Sequence, residues 1–218
     1  MLVWLASYPR SGNTFSRTIL NRKFGLNSYS LYDEQSELLE SAIGFAGGYK
    51  DKVDSPAFLE MARASEKIYL IKTHGPPLAD DPAIYIVRDG RAAVASYAHY
   101  LSKVEGYPVD IPQVIAGDVG FGSWSGHFYT WDPVNRPNTV LTTYETMLED
   151  VDLWASQVEG LLGASANQAD IPAFDELKER FPFFYRVGGN EPGIAEIQPY
   201  LDEFDRLHGD LMKELGYY

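Results

Sequence analysis

Residues 2–15 read LVWLASYPRSGNTF, and this stretch decides the fold class. Its first part, Leu2–Ala6, is a short, continuous apolar run, which is typical of a strand buried on both faces. The turn Ser7–Gly12 follows, and Asn13–Lys23 then has the apolar spacing of a helix. A buried strand, a glycine-containing turn and a helix predict the first half of a βαβ unit.

The same alternation continues along the chain. Apolar runs predict three further strands, at Ile68–Ile71, Ala83–Val87 and Thr139–Thr142. Residues 33–66 are expected to form two amphipathic helices, separated by the glycine-rich Gly44–Gly48. Residues 105–122 are expected to form a loop because they contain two prolines and several glycines. Further helices are predicted at 92–103, 123–131, 151–162 and 199–215.

Strands that alternate with helices predict an α/β protein with a P-loop-like three-layer fold, in which helices flank a central, mostly parallel sheet. The length of 218 residues suits one hydrophobic core, so we expect a single domain over residues 1–218. Ligands of such sheets bind beyond the carboxyl ends of the strands. The residues that follow each strand are therefore the first candidates for a site.

Composition limits the partners and the chemistry. The net charge of −13 argues against nucleic acid, yet residues 1–32 contain four basic residues and no acidic one, which suits a small phosphorylated ligand. There is no cysteine and the four histidines are far apart, so no metal site is expected. No apolar run has membrane-spanning length and no signal peptide is recognisable, so we expect a cytoplasmic protein without a membrane span.

The turn after the first strand has the composition of an anion cradle. Gly12 permits close approach of the backbone, and the following helix directs its unpaired N–H groups at the turn. Arg10 adds a positive charge, while Ser11, Asn13 and Thr14 add polar donors. The Gly-Lys-Ser/Thr of a Walker A loop is missing. The alternative is a polar turn that binds nothing.

Polar residues also follow the second and third strands. His74 could act as a general base near neutral pH, although a lone histidine is more often a surface or structural residue. Arg88 follows the third strand and Ser96 lies roughly two helical turns further on, so the two could clamp one phosphate. The alternative is an ordinary helix start capped by Asp89.

These segments resemble motifs of the sulfotransferases that use 3'-phosphoadenosine 5'-phosphosulfate (PAPS), of the cytosolic or bacterial type. YPRSGNTF at 8–15 resembles the family's 5'-phosphosulfate loop, and KTHGP at 72–76 resembles its Lys-Thr-His-x-Pro segment. IVRDGRAAVASYAHY at 86–100 resembles its 3'-phosphate segment. The motifs occur in the family's order, and the likeness extends to TYE at 143–145 and to the C-terminal HGDLMKELGYY.

The resemblance implies transfer of a sulfuryl group from PAPS to a hydroxyl or amine acceptor, with adenosine 3',5'-bisphosphate (PAP) as the product and no metal. The implied catalytic residues are His74 as general base, Arg10 at the leaving oxygen, and Ser96. The implied cofactor-binding residues are Arg10, Ser11, Gly12, Asn13 and Thr14 at the 5'-phosphosulfate, Phe15 and Tyr144 at the adenine, Arg88 and Ser96 at the 3'-phosphate, and Arg186, Val187 and Gly188 closing over it.

Three departures from the family pattern bear on function. Arg10 stands where the family usually has lysine, and arginine is a poor proton donor. Val187 replaces a basic residue, which predicts a weaker hold on the 3'-phosphate. Residues 26–66 and 101–122 are brief for segments that cover the acceptor. We therefore expect an open acceptor site suited to a large or carrier-attached substrate. Among partners, a small-molecule, sugar or carrier-attached acceptor is expected.

Two other functions stay open, a non-catalytic PAPS- or nucleotide-binding protein and a P-loop-type small-molecule kinase. The missing Gly-Lys-Ser/Thr weighs against the kinase, and His74 weighs against a pure binding protein. No pattern in the sequence selects the acceptor or an oligomeric state. Tyr97 and His99 follow Ser96 and could line the acceptor side, and the alternative for both is a place on the surface. His127 is interpreted as structural, and His208 is expected on the solvent-facing side of the last helix.

Overall fold

The computed structural model describes residues 1–33, 37–182, 185 and 189–218. Within them, six strands form one sheet in which every pair of neighbours is parallel. The strands are β1 Leu2–Ser7, β2 Ser28–Ser30, β3 Gly48–Lys52, β4 Tyr69–Thr73, β5 Ala83–Val87 and β6 Thr139–Thr143. Their order across the sheet is β3-β2-β4-β1-β5-β6, so the chain winds outward from β1 in both directions.

Helices connect the strands and lie on both faces of the sheet. The first five are α1 Asn13–Phe24, α2 Glu37–Phe45, α3 Pro56–Ala64, α4 Gly90–Lys103 and α5 Ile111–Ala116. The others are α6 Trp124–Trp131, α7 Tyr144–Glu149, α8 Val151–Leu162, α9 Phe174–Arg180, α10 Glu191–Ile197 and α11 Leu201–Glu214, with a 3-10 turn at Gln198–Tyr200. The three-layer α/β fold class is confirmed.

The hydrophobic core lies in two layers, because successive side chains of a strand point to opposite faces. Trp4 and Ala6 of β1 contribute to the layer beneath α4, α6 and α11. Val3 and Leu5 contribute to the opposite layer, which α1 and α8 complete. The central strands are thus buried on both faces, as the continuous apolar run of β1 predicts.

All four predicted strands are present, but the prediction missed two strands at one edge of the sheet. β2 reads SYS and β3 reads GYKDK, so neither has an apolar run. They form because β2 pairs with β4 and β3 pairs with β2. Gly48, which was expected within a spacer between two helices, begins β3.

The expected loop at residues 105–122 contains helix α5, so that prediction was wrong for this part. A reciprocal capping box starts the helix: Asp110 accepts from the Gln113 N–H, and Gln113 accepts from the Asp110 N–H. Pro112 lies in the first turn, where a missing N–H costs no helical hydrogen bond. Helices α7, α9 and α10 were also not predicted.

His208 is buried, which corrects its predicted position on the solvent-facing side. Only 2% of its surface is exposed. One ring nitrogen, Nδ1, lies 2.7 Å from Ser125 Oγ, and Nε2 lies 3.0 Å from the Ile115 carbonyl oxygen. The prediction overlooked that His208 lies four residues after Phe204 and three before Leu211, so the three share the buried face of α11.

The register of the sheet aligns four strand ends. Ala6 of β1 pairs with Thr73 of β4, and Ser7 pairs with Ile86 of β5. Val87 of β5 pairs with Thr143 of β6. The residues that directly follow β4, β5 and β6 are His74, Arg88 and Tyr144, so three candidate site residues meet at one edge.

In the described part of the chain, no helix combines the length and the apolar character that crossing a membrane requires. The same residues contain no group of three or more histidine, cysteine or acidic side chains that could hold a metal ion.

Replacement of Gly193 by alanine should destabilise the fold by roughly 1–3 kcal/mol, because an added Cβ would lie 2.7 Å from the Ala92 Cα atom. Helix α10 packs directly on the backbone of α4 at this point. Gly160→Ala on α8 is the matched control, since nothing lies within 4 Å of its Cβ position. The control should gain about 0.5–1 kcal/mol from helix propensity. Urea unfolding measures both, and equal stability of Gly193→Ala and the wild type would contradict the packing.

Candidate active site

The loop between β1 and α1 has an unusual backbone at two positions. Arg10 has φ of 65° and Gly12 has φ of 93°, both in the left-handed region. A Cβ at residue 12 would lie 2.5 Å from Tyr144 Cδ2, so glycine is required for space as well as for conformation. Arg10 is held in its strained conformation by a hydrogen bond of 3.0 Å from Arg88 Nη1 to its carbonyl oxygen.

The loop leaves a buried donor for a ligand. Ser11 is fully buried, and its Oγ has no hydrogen-bond partner in the described part of the chain. A buried hydroxyl without a partner is costly, and the first N–H groups of α1 also lack helical partners. A phosphate or sulfate oxygen would satisfy both, so the loop fits an anion.

The side chain of Asn13 does not contribute a donor to that cradle, contrary to the sequence-based interpretation. Its Nδ2 donates to the Leu5 carbonyl oxygen at 3.2 Å and to Ser7 Oγ at 3.3 Å. These bonds fasten the loop to β1. Only the backbone N–H of Asn13 remains for a ligand, whereas Thr14 lines the cavity described below.

The Arg88 side chain makes three hydrogen bonds to other described residues of the site. Its Nε donates to Asn190 Oδ1 at 3.0 Å, and its Nη2 donates to the Gly189 carbonyl oxygen at 2.8 Å. The guanidinium carbon lies 4.3 Å from the centre of the Tyr144 ring, which fixes its plane. Burial lowers the pKa of Arg88, and the nearby Tyr144 and Glu145 oppose that shift.

Ser96 lies in the middle of α4, beside the side chain of Arg10. Arg10 Nε donates to Ser96 Oγ at 3.3 Å, and the guanidinium of Arg10 lies over the Tyr100 ring at 5.1 Å. Arg10 therefore links the two residues predicted to clamp a phosphate: Arg88 binds its carbonyl oxygen and Ser96 binds its side chain.

His74 has one ring nitrogen engaged and one available. Its Nδ1 lies 2.8 Å from the Ser7 carbonyl oxygen, so Nδ1 carries the hydrogen and Nε2 carries the lone pair. The ring stacks on Tyr32 at 5.8 Å and meets Phe121 at 5.6 Å. Burial, followed by the positive charge of Lys72, holds the pKa of His74 well below its usual value. His74 is thus a neutral base at neutral pH.

Helix α6 fixes the backbone that carries His74. His127 Nε2 donates to the His74 carbonyl oxygen at 3.0 Å, and its Nδ1 accepts from the Tyr85 hydroxyl at 2.7 Å. Trp131 Nε1 donates to the Gly75 carbonyl oxygen at 2.8 Å. His127 is therefore a structural support for the site, and burial lowers its pKa to about 4.

Arg10, His74, Arg88, Ser96 and Tyr144 line one cavity of about 690 Å³ at the carboxyl edge of the sheet, together with Gly12, Asn13 and Thr14 of the loop. Ser11 is buried beneath this lining, and His127 and Trp131 support it from behind. One end contains the loop, Arg88, Phe15 and Tyr144; the Phe15 ring meets Tyr185 edge-on at 6.3 Å. The other end has an aromatic and aliphatic wall formed by Tyr32, Tyr97, Tyr100, Leu101, Val109, Val119 and Phe121.

Several lining residues had not been singled out from the sequence. Lys72 was visible in the KTHGP segment but was given no role, and its ammonium lies 5.6 Å from the centre of the Tyr32 ring. Glu105 accepts from the Tyr100 hydroxyl at 2.5 Å. Among the predicted residues, Tyr97 lines the cavity, whereas Arg186, Val187 and Gly188 lie outside the described residues.

Residues 2–180 match the family model of the sulfotransferase domain. The chain belongs to this family. The match covers the loop, His74, Arg88, Ser96 and Tyr144, and it ends before the segment that contains Asn190.

Curated sulfotransferases are distant relatives. The chain is 25% identical to mouse Sulfotransferase 1E1 over 166 residues, which are 67% of this chain and 54% of the relative. It is 24% identical to bovine Sulfotransferase 1A1 over 200 residues, which are 82% of this chain and 63% of the relative. The chain thus spans between about half and two thirds of the length of these relatives.

Solved sulfotransferase-fold structures cover nearly the whole chain. Mouse sulfotransferase SULT7A1 complexed with PAP superposes with a TM-score of 0.70 at 21% identity, covering 96% of this chain and 83% of that one. Retinol dehydratase in complex with androsterone and the inactive cofactor PAP gives 0.65 at 16% identity, covering 97% and 80%. At these identities the comparison establishes a shared fold.

The buried histidines should make the sulfotransferase domain sensitive to acid. The pKa of His127 is lower in the folded chain, so below about pH 6.5 the unfolded chain binds a proton that the folded chain does not. Neutral His127 therefore contributes to the free energy of unfolding above that pH, and this contribution is lost as the pH falls toward about 4. When the pH is lowered from about 7 to about 5, the free energy of unfolding of His127→Gln should fall by roughly 1–2 kcal/mol less than that of the wild type.

Urea unfolding at several pH values in this window measures the effect. The informative quantity is the difference in slope, because His127→Gln also removes hydrogen bonds and lowers stability at every pH. Parallel pH profiles for the two proteins would contradict a depressed pKa at His127.

Proposed function

We propose that the chain transfers a sulfuryl group from PAPS to a hydroxyl or amine acceptor bound in the cavity at the strand ends. The observation that carries the proposal is that Arg10, residues 12–14 of the loop after β1, and His74 line the same cavity. PAPS would supply the activated sulfuryl group; the residues of this chain bind it, orient it and accept the acceptor's proton.

The loop after β1 fits the 5'-phosphosulfate. The buried, unpaired Ser11 Oγ and the first N–H groups of α1 are donors that require acceptors. Arg10 adds a permanent positive charge beside them. Gly12 lets the Tyr144 ring pack directly against the loop backbone, because a Cβ there would lie 2.5 Å from Tyr144 Cδ2. These features support an oxyanion-binding role for residues Arg10–Thr14.

Arg88 fits the 3'-phosphate. A guanidinium has five N–H groups, and three of those of Arg88 are bonded to Asn190, Arg10 and Gly189 within the described residues. The remaining two can form a fork to one phosphate. Ser96 adds a hydroxyl, and Phe15 and Tyr144 offer aromatic faces to the adenine. Closure of Arg186, Val187 and Gly188 over the 3'-phosphate stays a prediction from the sequence.

His74 and Arg10 have different roles in the proposed transfer. His74 Nε2 would accept the proton of the acceptor hydroxyl while the hydroxyl oxygen forms a bond to the sulfur of PAPS. The bond between that sulfur and the bridging oxygen would break in line with the attack, and PAP would leave. Arg10 and the loop N–H groups would stabilise the negative charge on that leaving oxygen without donating a proton. Positioning and electrostatics therefore provide most of the rate enhancement.

The acceptor would contact the aromatic wall next to His74. Retinol dehydratase is described in complex with androsterone and with retinol, which supports a small-molecule acceptor of apolar character. At the rim, Tyr107 is 57% exposed and Glu105 and Asp118 are also exposed. This open rim supports the expectation that a sugar or a carrier-attached acceptor could also enter.

PAP should bind the purified protein far more tightly than adenosine 5'-phosphate, because the latter lacks the 3'-phosphate that Arg88 would hold. Arg88→Lys keeps the charge but loses the planar fork, so PAP affinity should fall about 10- to 100-fold. Calorimetric titration measures both constants, with ATP and magnesium as the control ligand. A preference for ATP would contradict the proposal and favour a kinase.

His74→Asn should abolish most activity while leaving PAP binding within about threefold. Asparagine can still donate to the Ser7 carbonyl oxygen but offers no basic lone pair, so kcat should fall about 10²- to 10⁴-fold. Release of PAP from PAPS, measured with a panel of phenols and alcohols, is the assay. Absence of turnover in the wild type with every acceptor, despite tight PAP binding, would favour a non-catalytic binding protein.

A further inference from the structure

A chain of hydrogen bonds runs from Arg88 to a tyrosine that follows the last helix. Arg88 Nε donates to Asn190 Oδ1 at 3.0 Å, and Asn190 Nδ2 donates to Glu145 Oε1 at 2.7 Å. The second carboxylate oxygen, Oε2, accepts from the Tyr217 hydroxyl at 3.0 Å. The four residues come from four different segments of the fold and are joined only in the tertiary structure.

Glu145 is the junction of this network. Besides Asn190 and Tyr217, its carboxylate accepts from the Asp89 N–H at 3.1 Å, directly after Arg88. Burial and the adjacent Glu145 raise the pKa of Tyr217, so the phenol stays protonated and donates. Burial lowers the pKa of Arg88, and the negative charge of the Glu145 carboxylate opposes this shift because it favours the protonated guanidinium.

The network determines how Arg88 can present its N–H groups. The guanidinium carbon lies 4.3 Å from the centre of the Tyr144 ring, and the partners of Nε, Nη1 and Nη2 set the direction of the guanidinium. Asn190 holds Nε, and its own amide is oriented by Glu145. Loss of the Glu145 contact lets the Asn190 amide turn, so the Arg88 N–H groups intended for phosphate are no longer aligned.

We infer that Glu145 and Tyr217 are positioning residues that act on Arg88 through Asn190 and so tune recognition of the 3'-phosphate. The inference rests on the proposed function, because it takes the 3'-phosphate of PAP as the group that Arg88 binds. It assigns to Glu145, at the start of α7, and to Tyr217, beyond α11, an influence on nucleotide selectivity without contact with the nucleotide.

The test is the ratio of the dissociation constants of adenosine 5'-phosphate and PAP, measured by calorimetry. Tyr217→Phe should lower this ratio about 3- to 10-fold, and Glu145→Gln should lower it at least as much. Binding of adenosine 5'-phosphate should stay within about twofold in both. The matched control is Tyr218→Phe, which removes the neighbouring hydroxyl bonded to Asp205 and should leave the ratio unchanged.

A double-mutant cycle with Arg88→Lys shows whether the effect passes through Arg88. In that background, Tyr217→Phe should no longer change the ratio. An effect of Tyr217→Phe that persists there, an unchanged ratio in the single variants, or equal weakening of both nucleotides would overturn the inference. If Glu145→Gln fails to fold, Tyr217→Phe decides alone. A wild type that does not distinguish the two nucleotides would instead overturn the proposed function.

Discussion

The guanidinium of Arg88 connects the two loops on which the site is built. It donates to the carbonyl oxygen of Arg10 in the loop after β1 and to that of Gly189 before α10. The first of these bonds holds Arg10 at φ of 65°, a conformation that a non-glycine residue rarely adopts. A buried cation thereby supports the backbone shape of the loop that we propose as an anion cradle, and we propose that its remaining N–H groups bind a second anionic group.

Parallel pairing of the strands places the His74 imidazole beside Arg88 and the loop after β1. His74 follows β4 and Arg88 follows β5, on either side of β1 in the sheet. The positive charges of Lys72 and Arg10 that would attract a phosphorylated donor also help burial to lower the pKa of His74. The anion binding that we propose and the lowered pKa of His74 are therefore consequences of one electrostatic environment, on a protein whose net charge is −13.

Much of this arrangement could be predicted from the sequence because its signals are local. β1 and β5 are continuous apolar runs, and the residues after them belong to recognisable motifs. β2 and β3 could not be predicted, since these polar segments become strands only through pairing, β2 with β4 and β3 with β2. The Asn13 bonds to β1 likewise have no local signal, whereas the inward position of His208 follows from its helical spacing with Phe204 and Leu211 and was overlooked. Glu145 and Tyr217 are 72 positions apart, so local sequence periodicity gives no signal of their hydrogen bond.

A crystal structure of the protein with PAP tests the central claim most directly. The account predicts the 5'-phosphate within hydrogen-bond distance of Ser11 Oγ and the first N–H groups of α1, and the 3'-phosphate on Arg88. The Arg88 bonds to Arg10 and Gly189 should persist in that complex. PAP bound away from the strand ends, or bound there with Ser11 Oγ unpaired and the 3'-phosphate away from Arg88, would contradict it.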